Sequence, residues 1–89
     1  ILIVDWDLHH GNGTQEIFYE DRQVLYFSTH QSPAYPGTGG LTEMGKGEGI
    51  GYTLNVPLSP GAGDALYVRL FRDILSPIVL AFKPEIILV

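Results

Sequence analysis

The sequence predicts an α/β fold with a central parallel sheet flanked by helices. Three observations lead there. Aliphatic runs, Ile1 to Val4 and Ile86 to Val89, are continuous rather than alternating, as suits strands covered on both faces. The first stretch of chain has a strand–helix–strand order, which is a βαβ unit with parallel strands and a right-handed crossover. Apolar residues recur at helical spacing between Asp64 and Phe82.

Each element has its own signal. The opening strand runs to about Trp6 and is broken by Gly11 and Gly13. Asn12 followed by Gln15 three positions later predicts a capping box and a short helix to about Tyr19. Val24 to Thr29 is rich in β-formers and predicts the second strand. From Ser32 to Gly51 the chain is rich in Gly and Pro, and seven of the eleven glycines lie between Gly37 and Gly51. Irregular loops of that length in compact domains are often functional. Tyr52 to Leu58 predicts a third strand, ended by Pro57 and Pro60. A helix follows from Asp64, its N-cap, to about Phe82, with Tyr67, Leu70, Phe71, Ile74, Leu75, Ile78 and Phe82 on one face. Pro77 should kink it or end it early, because proline removes a backbone donor. Pro84 stops it, and Glu85 to Val89 begins another strand.

The chain has 89 residues, 45% of them apolar, which is one small domain at most and not a disordered tail. It opens and closes inside apolar runs, so the expectation is an internal fragment, 1–89, of one longer catalytic domain. Net charge is −5, which argues against a general nucleic-acid binder, since such proteins cluster Lys and Arg to displace counterions. With no Cys, neither a disulfide nor a thiolate metal site can form. No apolar run approaches membrane-spanning length, and no signal-peptide pattern opens the chain. Cytoplasmic location and bacterial origin are expected; oligomeric state is open.

Asp5, Asp7 and His9 are spaced by two. In an extended segment such residues point to one side, here at the carboxyl end of a strand, the edge where α/β sheets bind ligands. Buried carboxylates are costly without a cation or donors. Carboxylate oxygen with imidazole nitrogen suits zinc, iron or cobalt more than calcium. The alternative also stands at this level: Asp at a strand end forms turns and caps helices, and a His is often a packed side chain. Ser28, near the carboxyl end of the adjacent strand, either reaches the Asp5 region or bonds nearby backbone. Gly45-Lys46-Gly47-Glu48-Gly49 lacks phosphate-loop spacing. Tyr35-Pro36-Gly37-Thr38-Gly39 reads as a tight turn that displays an aromatic ring, which either lines a pocket or packs.

The segment Asp-Trp-Asp-Leu-His-His-Gly-Asn-Gly-Thr-Gln, residues 5–15, closely resembles the zinc-ligand segment of the histone deacetylase family, which includes acetylpolyamine amidohydrolases and acetoin-utilisation proteins. The resemblance continues through Ser28-Thr29-His30, the Tyr35–Gly39 turn, Tyr52-Thr53-Leu54-Asn55-Val56-Pro57 and Phe82-Lys83-Pro84, covering essentially the whole chain. It implies an arginase/deacetylase-like fold. It implies that Asp7 and His9 are zinc ligands and that Asp5 is the carboxylate orienting one histidine of an upstream tandem pair. It further implies a structural potassium ion held by Asp5, by backbone oxygens of Asp7, His9 and Thr29, and by the Ser28 hydroxyl. A second monovalent-cation site would use the carbonyls of Phe18, Asp21, Val24 and Tyr52. Tyr35, with Gly37 in its turn, would wall the substrate tunnel. Asn12 stands where some subfamilies carry Asp, which resembles the class II and bacterial amidohydrolase branch; a neutral amide there stabilises imidazolium less than a carboxylate does.

By that resemblance the intact protein would hydrolyse an N-acetyl amine, acetyl-lysine or an acetylpolyamine. The tandem histidines, a third ligand shortly after Val89 and an oxyanion-binding tyrosine would lie outside these residues, leaving the fragment inactive by itself. Two rivals are a deacetylase-like binding module and an arginase-like dinuclear manganese hydrolase; the latter would want Asp-x-His-x-Asp, and here His comes last.

Overall fold

A computed structural model describes all 89 residues. Strand β1 (Leu2–Asp5) leads to helix α1 (Asn12–Phe18) and strand β2 (Leu25–Gln31). After the glycine-rich loop, which holds a single 3-10 turn at Gly47–Gly49, come β3 (Thr53–Leu58), a long helical segment and β4 (Ile87–Leu88). The sheet order is β3-β2-β1-β4, with every pair parallel, as the aliphatic runs predict. β4 is shorter than predicted: only Ile87 and Leu88 pair, against Leu2 and Ile3.

The two faces of the sheet are chemically different. Leu2 and Val4 of β1 and Leu25 and Phe27 of β2 form a core with Leu75, against which Leu54, Val56, Phe71, Ile78, Val79 and Phe82 pack. Phe27 meets Phe71 edge-on, with centroids 5.8 Å apart, a geometry worth about 0.5–1.5 kcal/mol beyond simple burial. On the opposite face Tyr26, Ser28 and His30 alternate along β2 beside Thr53 and Asn55 of β3, and all five are buried. A buried polar face is stable only if hydrogen bonds satisfy it, so α1 and the loop that cover it must supply partners.

The long helical segment departs from its prediction in three ways. Gly63, not Asp64, is the N-cap; Asp64 is the first helical residue, where its charge suits the positive end of the helix dipole. α2 (Asp64–Leu70) runs into a π-helical turn (Phe71–Leu75) and then α3 (Ser76–Phe82), so the helix continues through Pro77. The wide turn absorbs the defect: the Ser76 hydroxyl donates to the Phe71 carbonyl at 2.9 Å, and Pro77 falls in the first turn of α3, where its missing donor is harmless. The extra residue in that turn also shifts the apolar face. Leu70 and Leu75 are buried five apart, and Val79 packs in place of Ile74, which is 38% exposed. Lys83, at φ 53°, closes α3 in the left-handed conformation.

The predicted capping box at α1 does not form. Gly11 is the N-cap, and no side chain caps the helix. Gln15 is buried and bonded to other side chains, because the polar face beneath α1 needs its amide more than the helix end does.

This topology positions the candidate site. From β1 the chain crosses to β2 and then β3 on one side; the connection through α2 and α3 returns it to β4 on the other. β1 is therefore the strand at the switch point, where α/β sheets open a crevice at their carboxyl ends. A cleft lined by Ile3, Val4, Asp5, Trp6, Asp7 and Val89 opens there.

Candidate functional site

The spacing predicted that Asp5, Asp7 and His9 align by strand phase, but extended structure ends at Asp5 and they do not. A turn stitched by carboxylates brings them together instead. The Asp7 N–H donates to Asp5 Oδ1 at 3.1 Å, and the His9 N–H donates to Asp7 Oδ1 at 2.7 Å. The His9 ring folds back so that its Nδ1 lies 3.2 Å from the same oxygen. The two readings of the spacing, a capped turn and a convergent donor pair, are thus one geometry. The His9 N–H, and then its ring, hold the Asp7 carboxyl below the usual carboxylate range, which keeps it an anionic donor. The side chains of His9 and Asp7 are 57% and 68% exposed, open to an incoming ion. No third His, Cys, Asp or Glu of the chain joins them.

Asp5 is more deeply set. Its second oxygen accepts the Tyr26 hydroxyl at 2.8 Å, and that hydroxyl also approaches the Gly11 carbonyl at 3.3 Å. Burial first, and the neighbouring Asp5 carboxylate with it, lifts the Tyr26 phenol well above its ordinary range, so it stays a donor. Tyr26 thereby clamps the turn that carries Asp7 and His9 onto the sheet.

Ser28 is the register partner of Asp5 and is fully buried, so the structure does place it beside the Asp5 region. Its Oγ lies 2.8 Å from His30 Nδ1. The Thr29 side chain is also buried, and its Oγ1 has no hydrogen-bond partner. Phe18 ends α1, Asp21 and Val24 lie along the α1–β2 connection, and the Tyr52 carbonyl accepts the Tyr26 N–H at 2.8 Å, just ahead of β3. The Phe18 carbonyl accepts from Asp21 at 3.1 Å; each carbonyl keeps a second lone pair. Tyr35 stands 82% exposed just beyond β2, in the turn closed by the Gly37 N–H to the Ala34 carbonyl at 2.8 Å. That loop leaves from the same end of the sheet as the Asp7–His9 pair, and the Gln31 N–H is bonded to the Leu8 carbonyl at 2.8 Å.

A group of residues not assigned from the sequence fills the polar face. His10 is bonded through Nδ1 to Thr38 Oγ1 at 2.7 Å and through Nε2 to Gln15 Oε1 at 2.9 Å. Asn55 reaches the same Gln15 oxygen at 2.7 Å. Gln15 in turn donates to Glu43, and His30 Nε2 donates to the Gly39 carbonyl at 2.7 Å. Burial depresses the His30 imidazole below its normal value, so the neutral ring dominates. Burial pushes the Glu43 carboxyl up, but bonds from Gly40, Gln15 and Gly39 together outweigh it and hold the group below its usual range. The signal for this face was the alternation of Tyr26, Ser28 and His30; nothing local marked Glu43.

Comparison with known proteins gives a consistent answer. The histone deacetylase domain family matches residues 1–89. The chain is 58% identical over 87 residues to a protein named "Probable deacetylase" from Archaeoglobus fulgidus, covering 98% of this chain and 24% of that protein. It is 51% identical over 89 residues to Histone deacetylase 14, chloroplastic, of Arabidopsis thaliana, covering all of this chain and 21% of the relative. Among solved structures, the crystal structure of the HDA15 HD domain superposes with a TM-score of 0.92 at 50% identity, covering 97% of this chain and 25% of that one. The chain thus spans about a quarter of the length of the curated relatives it matches. These relatives are archaeal and plant, and the expected bacterial origin gains no support from them. No helix is long and apolar enough to cross a membrane.

Proposed function

Because this chain belongs to the histone deacetylase family, we propose that the protein containing it is a zinc-dependent amidohydrolase that releases acetate from acetyl-lysine or an acetylated polyamine. The observation that carries this reading is the Asp7–His9 pair, an ionised carboxylate and an imidazole 3.2 Å apart at the carboxyl end of the switch-point strand. This donor set suits zinc, and Asp7 Oδ2 is engaged by no donor of the chain. Catalytic zinc sites commonly use three protein ligands, so one more would come from outside residues 1–89. Zinc, when bound, supplies polarisation of the acyl carbonyl and a water of lowered pKa.

The chain's own residues do the holding and orienting. Asp7 and His9 grip the ion. Asp5, anchored by Tyr26 and by the Asp7 N–H, orients a histidine from outside the chain that takes a proton from water and returns it to the leaving amine. Asp5, the carbonyls of Asp7, His9 and Thr29, and the Ser28 hydroxyl would hold a structural potassium ion. Phe18, Asp21, Val24 and Tyr52 offer carbonyls to a second monovalent cation. The exposed Tyr35 ring, set by the Gly37 turn, flanks the substrate's alkyl chain.

The test is acetate release by the full-length protein from acetyl-lysine peptides and acetylated polyamines, before and after metal removal. Activity should vanish with a chelator and return with zinc; full activity in the metal-free protein would refute the proposal. Asp5→Asn should retain zinc and lower kcat by about 10- to 100-fold, the range typical of groups that orient a metal site. Unchanged turnover would remove Asp5 from the mechanism.

A further inference from the structure

We propose that Glu43 is a positioning residue for the substrate rim: its carboxylate, gripped by Gln15 of α1, latches the glycine-rich loop over the polar face and so fixes where Tyr35 stands. This rests on the reading of Tyr35 as part of that rim.

Short-range backbone bonds shape the two ends of the loop from Ser32 to Gly51, in the Ala34–Gly37 turn and between Met44 and Gly51, but its middle has only the turn from Gly40 to Glu43. Side chains from four neighbouring segments hold its middle instead. His10, from the turn after β1, takes Thr38; Gln15, from α1, takes Glu43; His30, from β2, takes the Gly39 carbonyl; Asn55, from β3, takes the Glu43 carbonyl. Glu43 is the hub. Its Oε2 accepts the N–H groups of Gly39 and Gly40 at 3.0 and 2.9 Å, and its Oε1 accepts Gln15 Nε2 at 2.7 Å.

The network has a single direction, and one atom sets it. A main-chain carbonyl only accepts, so Asn55 must present its NH2 to the Glu43 carbonyl at 3.0 Å. The same NH2 group reaches Gln15 at 2.7 Å, which therefore offers its oxygen there. The Gln15 NH2 is left facing Glu43, where only an acceptor can meet it. The Gly39 and Gly40 N–H groups make the same demand on the other oxygen. The Gln15 NH2 and the N–H groups of Gly39 and Gly40 all point toward the Glu43 side chain, and the ionised carboxylate is the one side chain of its size that accepts from all three. His10 belongs to this network and follows His9 directly, so the loop is registered against the turn that carries the metal-binding pair.

This polarity can be tested by exchange. Glu43→Gln sets an NH2 group against either Gln15 or the two glycine N–H groups, whichever way it turns. Gln15→Glu sets two carboxylates against each other. The double variant Gln15→Glu with Glu43→Gln restores every donor–acceptor pair. In the full-length protein, hydrogen exchange across residues 32–51 should quicken by about tenfold in each single variant, as expected for loss of a charge-assisted bond, and return to the original rate in the double variant. KM should rise by about tenfold in Glu43→Gln with kcat retained, and recover in the double variant. Unchanged exchange in Glu43→Gln, or a double variant as loose as the singles, would overturn the latch. Tyr35→Ala separates the two claims. If it raises KM while the loosened Glu43→Gln loop does not, the positioning role fails. If neither variant moves KM, the rim reading of Tyr35 is what fails, and the latch stands on the exchange data.

Discussion

Asp7→Ala or His9→Ala in the full-length protein is expected to remove zinc and deacetylase activity together. A three-ligand site that loses one donor cannot hold the ion at ordinary concentrations, and affinity should fall by more than about a hundredfold, beyond the loss typical of supporting groups. The structure sharpens the experiment. Asp7 Oδ1 also accepts the His9 N–H at 2.7 Å, so Asp7→Ala removes both a donor to the metal and the cap of the turn. Asp7→Asn separates the two roles: its carbonyl oxygen still accepts the His9 N–H, while the anionic charge is gone. That variant should keep the thermal stability of the metal-free protein yet bind zinc poorly. His9→Ala should likewise leave the fold of residues 1–89 intact, since its ring joins none of their core. Metal analysis and acetate release read the outcome. Stoichiometric zinc with undiminished turnover in either alanine variant would end the assignment.

The parts of this molecule that were readable in the sequence are those whose cause is local. β1 is marked by aliphatic residues and β2 by Tyr26, Phe27 and Thr29, and the parallel sheet follows from the order of elements. The Asp7–His9 pair was readable as residues but not as a geometry: the two meet because carboxylates cap a turn, which spacing by two does not specify. Pro77 announced a defect in the long helix without saying where it would fall. The defect lies one turn earlier, at Phe71–Leu75, and moves Val79 into the core in place of Ile74. Glu43 was illegible for another reason. Its partners Gln15 and Asn55 lie on α1 and β3, far apart along the chain, and only the folded sheet brings them to it. Gln15 looked like a helix cap because the capping pattern and a buried amide use the same residue; the tertiary demand for satisfied polar groups decided between them.

The seat of the loop should also show in stability, through two glycines of nearly equal backbone angle. Gly39 and Gly37 have φ of 89° and 83°, so alanine at either carries a similar conformational strain. Their surroundings differ. A Cβ on Gly37 would meet nothing, whereas a Cβ on Gly39 would press into the His30 Nε2 and the ring carbons of His10. Those rings cannot retreat without losing their bonds to Ser28, Thr38 and Gln15, because both are buried. Gly37→Ala should therefore cost about 1 kcal/mol, the strain alone, and Gly39→Ala about 3 kcal/mol or more, strain together with overpacking. Denaturant unfolding of the two full-length variants measures the difference, and hydrogen exchange should place the loosening of Gly39→Ala in the loop and the β1–α1 turn together. Equal destabilisation of the two variants would mean that the imidazoles give way freely. The polar face would then be a pliable covering and could not hold the loop in register with the turn that carries Asp7 and His9.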